Sequence, residues 1–204
     1  FGELIGYVDT EQKIIALTFD DGPLPETTNQ IVDFLAAENI PATFFLTGKD
    51  IAAHPQAAKK IMQAGHQIGN HSYSHQRMVF MGYDLVASEI DKTSQLIRNL
   101  GYSDEIVFRP PYGKKLFILP YYLYQKNITS VTWNIEPESY PEIAQDSDTI
   151  AQHVIDKVRP GSIILLHVMF KSREPSMAAV PKIVQTLKAQ GYTFVTVNEL
   201  LKAR

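Results

Sequence analysis

No cysteine occurs in the 204 residues. That excludes disulfides, thiolate metal sites and a cysteine nucleophile, but it leaves the compartment open, because secreted and cytosolic proteins can both lack the residue. Long hydrophobic runs are missing too: IIAL and IILL are far short of the roughly 18 apolar residues that a spanning helix requires. No charge of one sign dominates. Lys+Arg total 19 against 22 Asp+Glu, net −3, without long runs of either, so nothing marks a nucleic-acid or anionic-membrane partner. There is no Gly/Ser-rich or Pro-rich linker, and the length suits one substantial core, so a single domain over residues 1–204 is expected. The chain begins at Phe1 rather than Met, which leaves a removed signal or anchor open.

What is present is alternation. β-rich segments stand at 13–19 (KIIALTF), 42–48 (ATFFLTG), 66–70 (HQIGN), 105–110 (EIVFRP), 128–135 (ITSVTWNI), 161–168 (GSIILLHV) and 192–198 (YTFVTVN). Between them, apolar residues recur at three- and four-residue spacing, as in Ile31, Phe34 and Leu35 or Leu96, Ile97 and Leu100, the mark of amphipathic helices. Near-continuous apolar strands alternating with helices predict an α/β fold with a parallel sheet, doubly wound or closed into a barrel. Gly65 and Gly191 each stand between a helical run and a strand, where a residue tolerant of positive φ ends a helix.

The polar clusters fall at one end of these strands. TFDDG puts Asp20 and Asp21 at the end of the first, HSYSH (71–75) follows the third, RPPYG (109–113) the fourth, WNIEPES (133–139) the fifth, and His167 closes the sixth. In parallel α/β folds that end is where sites assemble from distant loops. Each cluster alone is ambiguous. His71 and His75, four apart, can share a metal ion on a helical turn or be an exposed pair; Asp20-Asp21-Gly22 can be turn chemistry or a site where a cation relieves two adjacent carboxylates. His167, after SIILL, is a core histidine or an acid, and Trp133, the one tryptophan, is core or a sugar platform. His54, His66 and His153 read as surface or structural.

In order, TFDDG, HSYSH, RPPYG and LLH resemble the motifs of the polysaccharide deacetylases of carbohydrate esterase family four, over a span from Lys13 to about Leu200. The resemblance implies a distorted (β/α) barrel of about seven parallel strands and removal of acetyl groups from chitin, peptidoglycan, related glycans or xylan with a divalent metal, most often zinc, with cobalt or nickel as substitutes. It makes Asp20 the general base, Asp21, His71 and His75 the metal ligands, Arg109 the partner of Asp20, the Tyr112 backbone N–H an oxyanion donor and His167 the general acid. Tyr112, Trp133 and Leu165 become the expected substrate contacts. An acetylated glycan outside the cell is the implied partner, with a secreted, periplasmic or cell-surface location.

One departure stands out. Where many relatives have Asp-Trp after the fifth strand, this chain has Ser139-Tyr140, and Val168 replaces the polar residue that often follows the histidine of LLH. Without that Asp, His167 is expected to lose its proton at lower pH than in such relatives, unless Glu136 or Glu138 reaches it. The main expectation is an N-acetylglucosamine deacetylase; its rivals are a glycan-binding protein with a degraded site and an O-acetyl xylan esterase. A zinc peptidase is disfavoured, because no HExxH occurs.

Overall fold

The computed structural model describes residues 3–204. Its strands are β1 (Leu4–Ile5), β2 (Ile14–Asp20), β3 (Thr43–Leu46), β4 (Gln67–Asn70), β5 (Ser130–Val131), β6 (Ile163–Leu166) and β7 (Thr193–Phe194). Eight helices lie between and after them: α1 (Pro25–Glu38), α2 (Gly48–Ala53), α3 (Pro55–Gln63), α4 (Tyr83–Asn99), α5 (Ile118–Gln125), α6 (Ser147–Lys157), α7 (Glu174–Ala189) and α8 (Val197–Leu201). All strand pairs are parallel, in the order β4-β3-β2-β6, with β7 on the first residues of β2 and β1 on β5.

Single bridges complete the ring. Phe108 pairs with both Asn70 and Ser130, and Ile135 pairs with Ile164, so staves of one or two residues join β4 to β5 and β5 back to β6. The result is the expected α/β barrel, distorted where these staves are short. The segment 105–110 is thus a correction: it pairs at Phe108 alone rather than as a strand, because Pro110 and Pro111 have no N–H to continue a ladder. Likewise 192–198 yields only two strand residues. Thr196 and Glu199 form a capping box that starts α8 instead.

Strand period fixes what points where. On β2, Ile15, Leu17 and Phe19 join the core between sheet and helices with Ile31, Leu35, Ile164, Leu166, Ile183 and Val184. Each such fully buried side chain contributes about 1.5–3 kcal/mol. The alternate residues Ala16, Thr18 and Asp20 point inside the barrel, where Ala16 packs with Phe45, Val107, Val131 and Ile163. Asp20 therefore reaches the centre of the barrel mouth because it is the last inward position of a strand that is apolar on its other face. Close approach inside the barrel requires glycine at position 69: a Cβ there would stand 2.5 Å from the Phe45 ring.

Candidate active site

Asp20 is 2% exposed, and its Oδ1 accepts a hydrogen bond of 2.6 Å from Arg109, which is fully buried. The same guanidinium donates to Thr18 Oγ1 at 2.8 Å and to Thr132 O at 3.0 Å, and its carbon lies 3.9 Å from the Phe45 ring centroid. Four contacts thus fix one cation under the barrel mouth. Burial alone would raise the Asp20 pKa; Arg109 first, then His71 and His167, hold it below the usual carboxylate range.

Asp21 follows in the left-handed region (φ 75). Its Oδ1 lies 3.4 Å from His75 Nε2 and 4.0 Å from His71 Nε2. One donor atom from each of Asp21, His71 and His75 falls within 4.8 Å of the other two. His71 Nδ1 meets the Arg109 carbonyl oxygen at 2.8 Å, which directs its Nε2 to the cluster. Burial first, and then the like charge of His71, lower the His75 pKa and favour the neutral ring that a cation needs. These donors fit a divalent ion: two imidazoles and one carboxylate converge, and the backbone positions them.

HSYSH is not the helical turn that its spacing suggested. Ser72 and His75 both adopt positive φ (64 and 60), and the loop is clamped from outside by Glu89 of α4, whose carboxylate accepts from Tyr73 N (3.0 Å), Ser74 N (2.8 Å) and Ser74 Oγ (2.9 Å). Sequence reasoning missed Glu89. Its signal was available: a charged residue on the buried stripe of α4 with Val86, Ile90, Thr93 and Ile97.

Opposite this cluster stands His167. Its Nδ1 is bonded very closely to Glu138 Oε2, and its backbone N–H donates to both Glu138 oxygens at 3.0 and 3.1 Å. Ser176 of α7 also donates to Glu138. The expectation of a weakly supported His167 is therefore corrected: Glu138, one residue before Ser139, supplies a carboxylate. Burial pulls the His167 pKa down, but the Glu138 hydrogen bond and charge outweigh it and raise the value to about 9. Glu136 has other partners, accepting from Trp133 Nε1 at 3.0 Å and Ser139 Oγ at 2.6 Å.

Of the remaining expected residues, Tyr112 and Trp133 stand at the same mouth, and Leu165 is buried below it. Tyr112 is 51% exposed, with its ring centroid 5.0 Å from that of His75 and the Arg77 guanidinium 4.8 Å over its face. Its backbone is left-handed (φ 59), and the turn's own bonds use Gly113 N–H and Lys114 N–H rather than that of Tyr112. Trp133 packs against Gly113, its ring 3.1 Å from where a Cβ would stand. Leu165 is 1% exposed and pairs with Thr18, on the inner face of the barrel.

A model of the polysaccharide deacetylase family matches residues 7–132. The chain belongs to this family. Among its deacetylase relatives, peptidoglycan-N-acetylmuramic acid deacetylase PdaC of Bacillus subtilis is 35% identical over 194 residues, which are 95% of this chain and 40% of that protein. The crystal structure of the peptidoglycan N-acetylglucosamine deacetylase Bc1960 superposes with TM-score 0.91 at 33% identity, over 98% of this chain and 94% of that one. A family pseudoenzyme from Bacillus anthracis superposes with TM-score 0.88 at 25% identity, over 98% of this chain and 69% of that one. The barrel seen here is the deacetylase fold, and the Asp21-His71-His75 cluster is a possible metal site within it.

Proposed function

We propose that this chain is a metal-dependent hydrolase that removes N-acetyl groups from N-acetylglucosamine-containing glycans of peptidoglycan or chitooligosaccharide type, with residues 1–204 as one catalytic domain. One observation carries the reading: Asp20, bonded to Arg109, and His167, bonded to Glu138, stand with the Asp-His-His cluster at one barrel mouth. A divalent ion held by Asp21, His71 and His75, zinc by the character of the donors with cobalt or nickel as substitutes, would supply Lewis acidity to the acetyl carbonyl and to water.

The chain's own groups do the rest. Asp20, with Oδ1 held by Arg109, accepts the proton of the attacking water on Oδ2. The Tyr112 N–H donates to the oxygen of the tetrahedral intermediate. As the C–N bond breaks, His167 delivers a proton from Nε2 to the departing amine, since its Nδ1 is committed to Glu138. An amide requires that proton, because a free amide anion is a poor leaving group. The exposed Tyr112 ring and the edge of Trp133 suit a sugar face; Leu165 offers only methyl groups, a match for the acetyl methyl.

Glu138 also bears on the rival reading. A degraded, glycan-binding site was motivated by the missing Asp, and a carboxylate on His167 removes that motive. The pseudoenzyme among the relatives makes the test necessary, since fold alone does not carry activity. Polymers of this class lie outside the cytoplasmic membrane, so a secreted, periplasmic or cell-surface location goes with the proposal.

The experiment is acetate release from chitooligosaccharides, peptidoglycan and acetyl xylan, with and without chelator and added zinc or cobalt. Release from the N-acetyl substrates is expected, abolished by chelator and restored by metal, and His75→Ala should lose stoichiometric metal by elemental analysis. Binding without release from any substrate would replace the proposal with the glycan-binding reading; release from xylan alone would replace it with the O-acetyl esterase.

A further inference from the structure

Beside the catalytic mouth, a groove of about 560 Å³ follows the flank of the barrel between the segment after β5 and the end of α6. Its volume falls within the range of small-molecule sites. Trp133 belongs to both places: its six-membered ring packs on Gly113, next to Tyr112, while its indole N–H donates into the groove, to Glu136. Farther along, the Tyr140 ring lies 5.1 Å, centroid to centroid, from that of His153 and is 47% exposed, a second aromatic surface.

The other end of the groove is basic. Lys157 and Arg159 both line it and are both exposed. Arg159 stacks its guanidinium on Tyr7 with its carbon 4.0 Å from the ring centroid; that contact occupies the flat face and leaves the N–H edge for a planar acceptor such as a carboxylate. Among the lining residues two cations, Lys157 and Arg159, stand against one carboxylate, Glu136, which is turned to neutral donors. Glu136 accepts from Trp133 and Ser139, and Asp156 accepts from Gln152 Nε2 at 2.7 Å. Burial, then the charge of Lys157, lower the His153 pKa, so this ring adds no cation at neutral pH.

We propose that this groove is a subsite for a carboxylate-bearing substituent of the glycan, with a sugar ring against Trp133 and Tyr140 and the carboxylate on Arg159 and Lys157. Lactyl-bearing aminosugars, with or without an attached peptide, have this chemistry, and neutral chitooligosaccharides do not. The inference rests on the deacetylase reading and narrows its substrate toward peptidoglycan.

Trp133, as the one tryptophan, reports occupancy by its fluorescence without any turnover. Three ligands are titrated: a neutral chitooligosaccharide, a peptide-free glycan strand that keeps its lactyl carboxylates, and the same strand with its peptides. Carboxylated strands should bind about 3- to 10-fold more tightly than the neutral one at low salt, an advantage that shrinks at high salt. Lys157→Gln and Arg159→Gln together should erase the advantage while leaving affinity for the neutral ligand unchanged; Lys157→Gln alone, at an exposed helix end, should remove part of it. Attaching the peptide turns the lactyl carboxylate into an amide and brings the peptide's own carboxylates, so a gain seen only with the peptide-bearing strand assigns the bound carboxylate to the peptide, and one seen only with the peptide-free strand assigns it to the lactyl group. Equal affinity for all three ligands, or a preference that survives the double substitution, would overturn the subsite. Acetate release from the same ligands separates the two claims: its absence throughout sinks the deacetylase reading alone, whereas release with no charge preference in binding or KM sinks the subsite alone.

Discussion

His66, buried, and His167, part-buried, are imidazoles at opposite ends of one barrel, and their pKa values are shifted in opposite directions. His66, just before β4, has only a backbone partner for its ring, the Ala42 N–H donating to Nδ1 at 3.3 Å, and packs against Phe44; burial alone pushes its pKa down to about 4. His167, just past β6, is also mostly buried, yet its pKa stands at about 9 because Glu138 meets it. Desolvation acts on both in the same direction. One carboxylate decides the sign.

The comparison breaks most severely at the catalytic end. Asp20→Asn preserves shape and the Arg109 side of the contact but removes the basic oxygen, and should cut kcat by about 10²- to 10⁴-fold while metal content stays stoichiometric. Near-normal acetate release by the metal-loaded variant would mean that Asp20 is not the base.

Next in size is Glu138→Gln, which should turn His167 into a second His66. With its pKa back at or below the ordinary 6.5, the acid form at pH 8 would fall from about 90% to about 3%, roughly a 30-fold loss, and the alkaline limb of kcat/KM would move down. Ser139→Asp, by contrast, should leave that limb nearly in place, since Glu138 already occupies the ring nitrogen. A limb that ignores Glu138→Gln would show that His167 is not the proton donor.

At the structural end the expected effect is on stability. His66 binds its proton less readily folded than unfolded, so its contribution is fully present above about pH 6.5 and is lost as pH falls through about 4, on the order of 3 kcal/mol in all. His66→Gln should shift the acid unfolding midpoint, followed by circular dichroism, to lower pH. His167 runs the other way: its contribution is present below about pH 6.5 and lost as pH rises through about 9. The smallest change is Ser176→Ala, which removes one donor to Glu138 and should cost about 0.5–1.5 kcal/mol in denaturant unfolding with only a few-fold effect on turnover.

Much of this arrangement was legible in the chain. Asp20, Asp21, His71, His75, Arg109, Tyr112 and His167 all stand at strand ends or the loops that follow, because a parallel barrel places every such end at one mouth and the apolar runs announce the strands. HSYSH forms a loop rather than a helical turn for a physical reason: Glu89, sixteen residues beyond Tyr73, satisfies the loop's N–H groups and supports two left-handed residues that no local pattern announces. The strand expected at 105–110 shrank because its prolines end the ladder, and 192–198 because a capping box competes with it.

Period and composition by themselves determined the alternating α/β architecture and the pairing of chemistry with strand ends, since these depend on local geometry repeated along the chain. Only the tertiary structure decided which carboxylate serves His167. Glu136 and Glu138 are two residues apart and chemically alike, but the three-residue helical turn at Pro137–Ser139 aims one at the indole of Trp133 and the other at the imidazole, where Ser176 from the distant α7 holds it. A hydrogen bond depends on direction and distance across a fold, and the spacing of residues in a chain carries neither.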